Sequence, residues 1–123
     1  MTAIQLQQTD DCPQVIFDPE AGKFQISGRS MPEDTTKFYL PLTEWLMEYS
    51  KRPKDENQFV FHFEFMSTST TKQMMKIFFA IEQIAKIKSV KVLWNYDKGD
   101  LNMKQSGELL QKLVTFKMQF QAV

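Results

Sequence analysis

The chain has 123 residues, of which 42% are hydrophobic, including 11 Phe. That length and apolar content suit one domain, residues 1–123, with its own core, and they exclude wholesale disorder. Fifteen basic and fifteen acidic residues cancel, so nothing favours a nucleic-acid or anionic-membrane partner, both of which recruit a basic excess.

Residues 1–12 are polar and are expected to be loose. They lack the basic start and apolar core of a signal peptide. QVIFD at 14–18 and KFQISG at 23–28 have strand composition, and PEAG between them supplies turn formers, so a hairpin is expected. RSMPEDTTK at 29–37 reads as a polar connection. Pro41 suits the first position of a helix, where its missing N–H would be unpaired anyway. Leu42, Trp45, Leu46 and Tyr49 then follow at helical spacing. KRPKDENQ at 51–58 is a charged, Pro-broken loop.

Residues 58–66 alternate as a strand. Phe59, Phe61, Phe63 and Phe65 share one face, with Val60, His62, Glu64 and Met66 on the other. Met74, Ile77, Phe78, Ile81, Ile84 and Ala85 fit a helical stripe. SVKVLWNYD at 89–97 is another strand, KGD at 98–100 a turn, and 101–114 a weaker helix interrupted by Gly107. Phe116, Met118 and Phe120 suggest a last short strand. The order ββαβαβαβ places this α/β chain in a four- to five-stranded mixed sheet. Strands separated by helices imply parallel pairs. Each strand has one apolar and one mixed face, so the helices are expected mainly on one side. The most apolar stretch, residues 77–85, is too short and too polar to span a bilayer. A soluble, cytoplasmic protein is expected.

Catalytic and cofactor signatures are missing. The only histidine, His62, reads as a polar-face strand residue, although its ability to titrate near neutrality makes a small enzyme using His62 or Glu64 as base an alternative. No nucleophile elbow, clustered metal ligands or glycine-rich phosphate loop occurs. The carboxylate pairs Asp10–Asp11 and Glu33–Asp34 read as solvated loop charges. Cys12 is the single cysteine, so an internal disulfide is excluded, and no basic neighbour is visible to activate it. Met74, Met75, Met103 and Met118 offer an adaptable surface, but core packing explains them more simply.

One stretch stands apart: FEFMSTSTTKQMMK at 63–76, with five consecutive hydroxyl residues, Ser67 to Thr71, between a strand and a helix. Ser and Thr are good N-caps, each contributing about 1 kcal/mol. One cap needs one residue, however, and here there are five. A phosphate at this junction would add about −1.5 to −2 charges near the positive end of the helix dipole. Continued strand alternation would point Thr68 to the side of His62 and Glu64.

Four stretches, ISGRSMPED at 26–34, FYLPLTEWLMEY at 38–49, FEFMSTSTTK at 63–72 and VLWNYDKGD at 92–100, together resemble the SiaC-type regulatory phosphoproteins. This bacterial family is similar in fold to anti-sigma-factor antagonists of the STAS type. The resemblance implies partner switching. A Ser/Thr protein kinase phosphorylates the domain, and a 2C-type protein phosphatase reverses it. The unphosphorylated form binds and activates an effector such as a diguanylate cyclase, promoting biofilm growth and aggregation. The family's phosphoacceptor falls on Thr68, with Ser69 as runner-up. Glu64, Ser67, Thr68, Ser69, Thr70 and Lys72 are the implied partner-binding residues. The family motif reads Asn-Thr-Ser-Ser; here it is Ser67-Thr68-Ser69-Thr70. The resemblance implies no catalytic residue, metal or cofactor in this chain. A constitutive interaction adaptor is the other alternative.

Overall fold

The computed structural model describes all residues 1–123. Its elements run β1 (Ile4–Leu6), β2 (Gln14–Asp18), β3 (Lys23–Ser30), α1 (Thr35–Tyr49), β4 (Glu56–Met66), α2 (Thr68–Ala85), β5 (Ser89–Tyr96), α3 (Leu101–Gln111) and β6 (Met118–Ala122). The six strands lie side by side in chain order. β1, β2 and β3 pair antiparallel, while β3 to β6 are parallel.

This order decides where the helices go. Each of the three crossovers moves one strand further in the same direction. Because such crossovers are right-handed, all three helices fall on one face. The burial pattern agrees: Phe59, Phe61 and Phe63 are buried under the helices, whereas Val60 and His62, pointing the other way, stay partly exposed. The core joins Phe17, Phe24 and Ile26 from the hairpin to Leu42 and Leu46 of α1, to Met74, Ile77, Phe78 and Ile81 of α2, and to Trp94. Aromatic contacts knit it together. The Phe24 and Phe59 rings stack at 4.5 Å, and Trp94 lies 5.7 Å from Phe61. Each fully buried large apolar side chain contributes about 1.5–3 kcal/mol.

The structure corrects several expectations. The sheet has six strands, not four or five, because Ile4–Leu6 pairs with Val15–Phe17. Residues 1–12 are therefore not simply loose. Ile4 packs against the core, and the Trp45 indole donates to Thr2 O at 2.8 Å. Three residues of ordinary composition give no strand signal of their own; the partner supplies it. Helix α1 begins at Thr35, six residues before Pro41. Asp34 caps it by accepting from Lys37 N at 3.0 Å. Pro41 is tolerated in the interior because it and Lys37, whose carbonyl loses its donor, are both exposed. Gly107 does not interrupt α3. A Cβ there would come within 2.5 Å of Trp94 Cδ1, so the glycine admits the indole ring against the helix.

The alternation of β4 also breaks. Phe63 stands opposite Gly28, yet Phe65 stands opposite Arg29. Glu64 is an extra residue, a β-bulge. Phe65 therefore leaves the Phe face, is exposed, and lies 5.6 Å beneath the Arg29 guanidinium. Met66, expected beside His62, packs against the core instead.

Candidate functional site

Parallel strands followed by helices bring the N-terminal ends of α1 and α2 together at one end of the sheet. Ser67 is the N-cap of α2, and its Oγ accepts from Thr70 N at 3.1 Å. Thr68 is thus the first helical residue rather than a continuation of the strand. Neither helix has an acidic residue in its first turn, so the positive end of the α2 dipole is not offset by a carboxylate within the helix.

The five hydroxyls are not equivalent. Thr70 is fully buried and donates to Ser30 O at 3.1 Å. Its Oγ1 also lies 2.9 Å from Ser30 Oγ, which is in turn 2.6 Å from the Tyr39 hydroxyl. Ser67 Oγ meets Thr70 Oγ1 at 2.9 Å and Ser69 Oγ at 3.2 Å. Ser69 Oγ reaches Thr35 Oγ1 across the helix pair at 2.8 Å. Thr71 donates to Ser67 O at 3.3 Å. Six hydroxyls, Tyr39, Ser30, Thr70, Ser67, Ser69 and Thr35, therefore form one chain from the core to the surface. Burial raises the pKa of the Tyr39 phenol, against a smaller opposing effect of the Ser30 hydrogen bond. The phenol stays protonated and available as a donor.

Thr68 is the exception. It is exposed, and its hydroxyl bonds to nothing else in the chain. Lys72, one turn along α2, is exposed as well. Glu64 is exposed on the bulge. Of the six residues expected to contact a partner, Thr70 is the one whose side chain is fully buried. Ser30, Tyr39 and Thr35 are not legible in the sequence; they are distant in the chain, and the pairing of β3 with β4 and the packing of α1 beside α2 align them with the hydroxyl run.

The other candidates do not gather here. His62 Nε2 pairs with Asp97 Oδ1 at 2.9 Å on the helix-free sheet face. Four depressions on the surface are lined by residues other than His62 and Glu64. Cys12 is partly buried beside the Thr9 turn, its N–H donating to Thr9 Oγ1 at 2.9 Å. No group of three or more His, Cys, Asp or Glu is placed to hold a metal ion, and no helix is long and apolar enough to cross a membrane. Met74, Met103 and Met118 are core residues, as expected, but Met75 is 47% exposed.

Residues 6–123 match the family described as SiaC family regulatory phosphoprotein. The chain is 21% identical over 123 residues to an uncharacterized protein of Pseudomonas aeruginosa strain UCBPP-PA14, covering 99% of this chain and 98% of that one. It is similar in structure to apo-SiaC from Pseudomonas aeruginosa, with a TM-score of 0.89, 22% identity, and coverage of 99% and 100% of the two chains. It is likewise similar to a chain in the crystal structure of the diguanylate cyclase SiaD in complex with its activator SiaC from Pseudomonas aeruginosa. There the TM-score is 0.89, the identity 21%, and the coverage 98% and 99%.

Proposed function

Since the chain belongs to the SiaC family of regulatory phosphoproteins, we propose that it is a binding protein switched by phosphorylation of Thr68. One observation carries the choice of residue: of the five clustered hydroxyls, only Thr68 is exposed with its oxygen free. A kinase must bring the acceptor oxygen in line with the transferred phosphoryl group. Thr68 offers that oxygen without breaking an existing bond. Ser69, the runner-up, would first have to leave Thr35.

In this reading a Ser/Thr kinase adds the phosphate and a 2C-type phosphatase removes it, in the cytoplasm, on a STAS-like single domain. Unphosphorylated Thr68 permits docking to an effector, and the related activator of a diguanylate cyclase supports a cyclase in that role. Phosphothreonine opposes docking. A hundredfold loss of affinity requires only about 2.7 kcal/mol. Desolvating an unpaired phosphate in an interface costs at least that much. The chain then acts by occupancy and supplies no chemistry of its own.

The test is intact-mass analysis after incubation with the pathway's kinase and ATP. Wild type is expected to gain one phosphoryl group and Thr68→Ala none. Equal phosphorylation of Thr68→Ala refutes the assignment.

A further inference from the structure

We propose that the chain forms a two-fold dimer by pairing the free edge of β6 with β6 of a second copy, centred on Gln121. The inference does not depend on the switch reading above. β6 ends the sheet and pairs on one side only, with β5. Along a strand, one residue turns its N–H and C=O to one edge, and the next turns them to the other. Val123 N donates to Tyr96 O at 2.9 Å, and Val123 O accepts from Lys98 N at 3.1 Å. Gln119 and Gln121 therefore also bond inward to β5, while Met118, Phe120 and Ala122 turn their backbone groups outward.

The start of that edge is closed. Gln111 of α3 donates through Nε2 to Phe116 O at 2.8 Å, and its Oε1 accepts from Met118 N at 2.7 Å. One side-chain amide thus takes the two groups that a residue of a parallel neighbour would take. What remains open is the stretch 119–123, where Phe120 and Ala122 present their N–H and C=O groups outward. Exposed edges are ordinarily guarded by charge, proline or a bulge. β6 has none of these. Its register is continuous, and MQFQA holds no charged residue in a chain that is 24% charged.

A second copy fits this edge. With the axis at Gln121, antiparallel pairing sets Phe120 opposite Ala122 of the mate. Each such pair exchanges both N–H···O bonds, and the axis generates it twice. Centring on Gln119 or Phe120 instead would call on Met118 N, which Gln111 already holds. Gln121 is exposed on the helix-free side, and in this register it faces its own image. An amide carries donor and acceptor together, so it can bond to a copy of itself, whereas a charged side chain would be repelled. A strand from another protein would use the same backbone groups; the self-matching amide at the axis favours a second copy. The opposite edge, β1, has three residues, and each copy uses β6 once, so the assembly closes at two chains. The axis stands normal to the sheet. All helices stay on one face, and the two hydroxyl runs at the starts of α2 point in opposite directions.

Sedimentation of the full, unphosphorylated chain over a range of concentrations reads the association. Wild type is expected to dimerise. Gln121→Lys and Gln121→Glu should each weaken the dimer about tenfold, because like charges then stand directly opposite each other. Mixing the two variants sets lysine against glutamate and should restore the wild-type affinity. Ala122→Pro removes an outward N–H, leaves the β5 ladder intact, and should also weaken the dimer about tenfold. Gln5→Lys, exposed on the β1 edge, should leave it unchanged. Circular dichroism verifies folding of each variant. A wild type that stays monomeric at every concentration overturns the proposal. So does a dimer that survives Ala122→Pro and both charged variants, because its interface then lies elsewhere. A mixture of the two charged variants that fails to recover refutes the register at Gln121.

Discussion

Thr35 Oγ1 and Ser69 Oγ lie 2.8 Å apart, joining the N-terminal ends of α1 and α2 through two side chains 34 residues apart in sequence. The bridge keeps Ser69 occupied and leaves Thr68 as the exposed hydroxyl with a free oxygen. It therefore predicts how the two hydroxyls compete. In a Thr68→Ala background, adding Thr35→Val frees Ser69 of its strongest partner. Ser69 phosphorylation should rise severalfold over Thr68→Ala alone, read by tandem mass spectrometry. Equal occupancy in both variants would show that the bridge does not protect Ser69.

The buried end of the hydroxyl chain bears on stability. Ser30 holds both Tyr39 and Thr70. Ser30→Ala should cost about 1–3 kcal/mol, because it strands buried polar groups. Tyr39→Phe removes one of the stranded groups, so the double variant should lose less than the two single losses added together. Urea unfolding of the four proteins measures the coupling, and strict additivity would argue against a shared network.

Ser67 caps α2, and Ser67→Ala should cost about 1 kcal/mol. Ser67→Asn should be nearly neutral, since Asn accepts from the same backbone N–H equally well. The family motif has Asn at this place, so the physical role survives the difference. Thermal unfolding of both variants checks the pair of outcomes.

Gly107→Ala pits two effects against each other. Alanine is favoured in a helix by up to about 1 kcal/mol. Here its Cβ meets the fully buried Trp94 ring, and overpacking of that kind costs about 1–3 kcal/mol. The clash should win, giving a net loss in chemical denaturation. A stabilised variant would mean that the indole moves aside freely.

Alkaline pH should destabilise the fold through Tyr39. Burial raises its pKa above the ordinary value of about 10. Above that pH the unfolded chain releases a proton that the folded chain keeps. Stability is therefore complete below the ordinary value and falls as pH rises beyond it. Tyr49, whose pKa burial also raises, adds to the slope. Tyr39→Phe should flatten the decline by up to about 1.4 kcal/mol per pH unit. An unchanged slope would assign the alkaline limb to other groups.

Much of this was readable from residue pattern. The Phe alternation of β4 from Phe59 to Phe63 and the helical stripe of α2 are strong local signals, and both stand where their spacing puts them, the alternation failing only from the bulge onward. The hydroxyl run, too, is conspicuous in sequence. What remained hidden depends on partners elsewhere. β1 exists because β2 offers it an edge. The early start of α1 depends on an Asp34 cap that was masked by the more obvious Pro41. The hydroxyl chain needs Ser30, 40 residues away from Thr70. Composition shows which residues are capable of such bonds; only the strand register shows which ones meet.

The bulge at Glu64 decides that register. Because of the added residue, Met66 rather than Phe65 pairs with Ser30. Ser67 N then donates to Ser30 O at 3.0 Å, and Thr70 reaches the same carbonyl. Were Glu64 paired in the regular ladder instead of set aside, the whole run from Ser67 onward would arrive one place out of phase with β3. The bulge thus acts like a reading frame for the helix that follows: taking Glu64 into the ladder, rather than setting it aside, would change which side chain stands at position one.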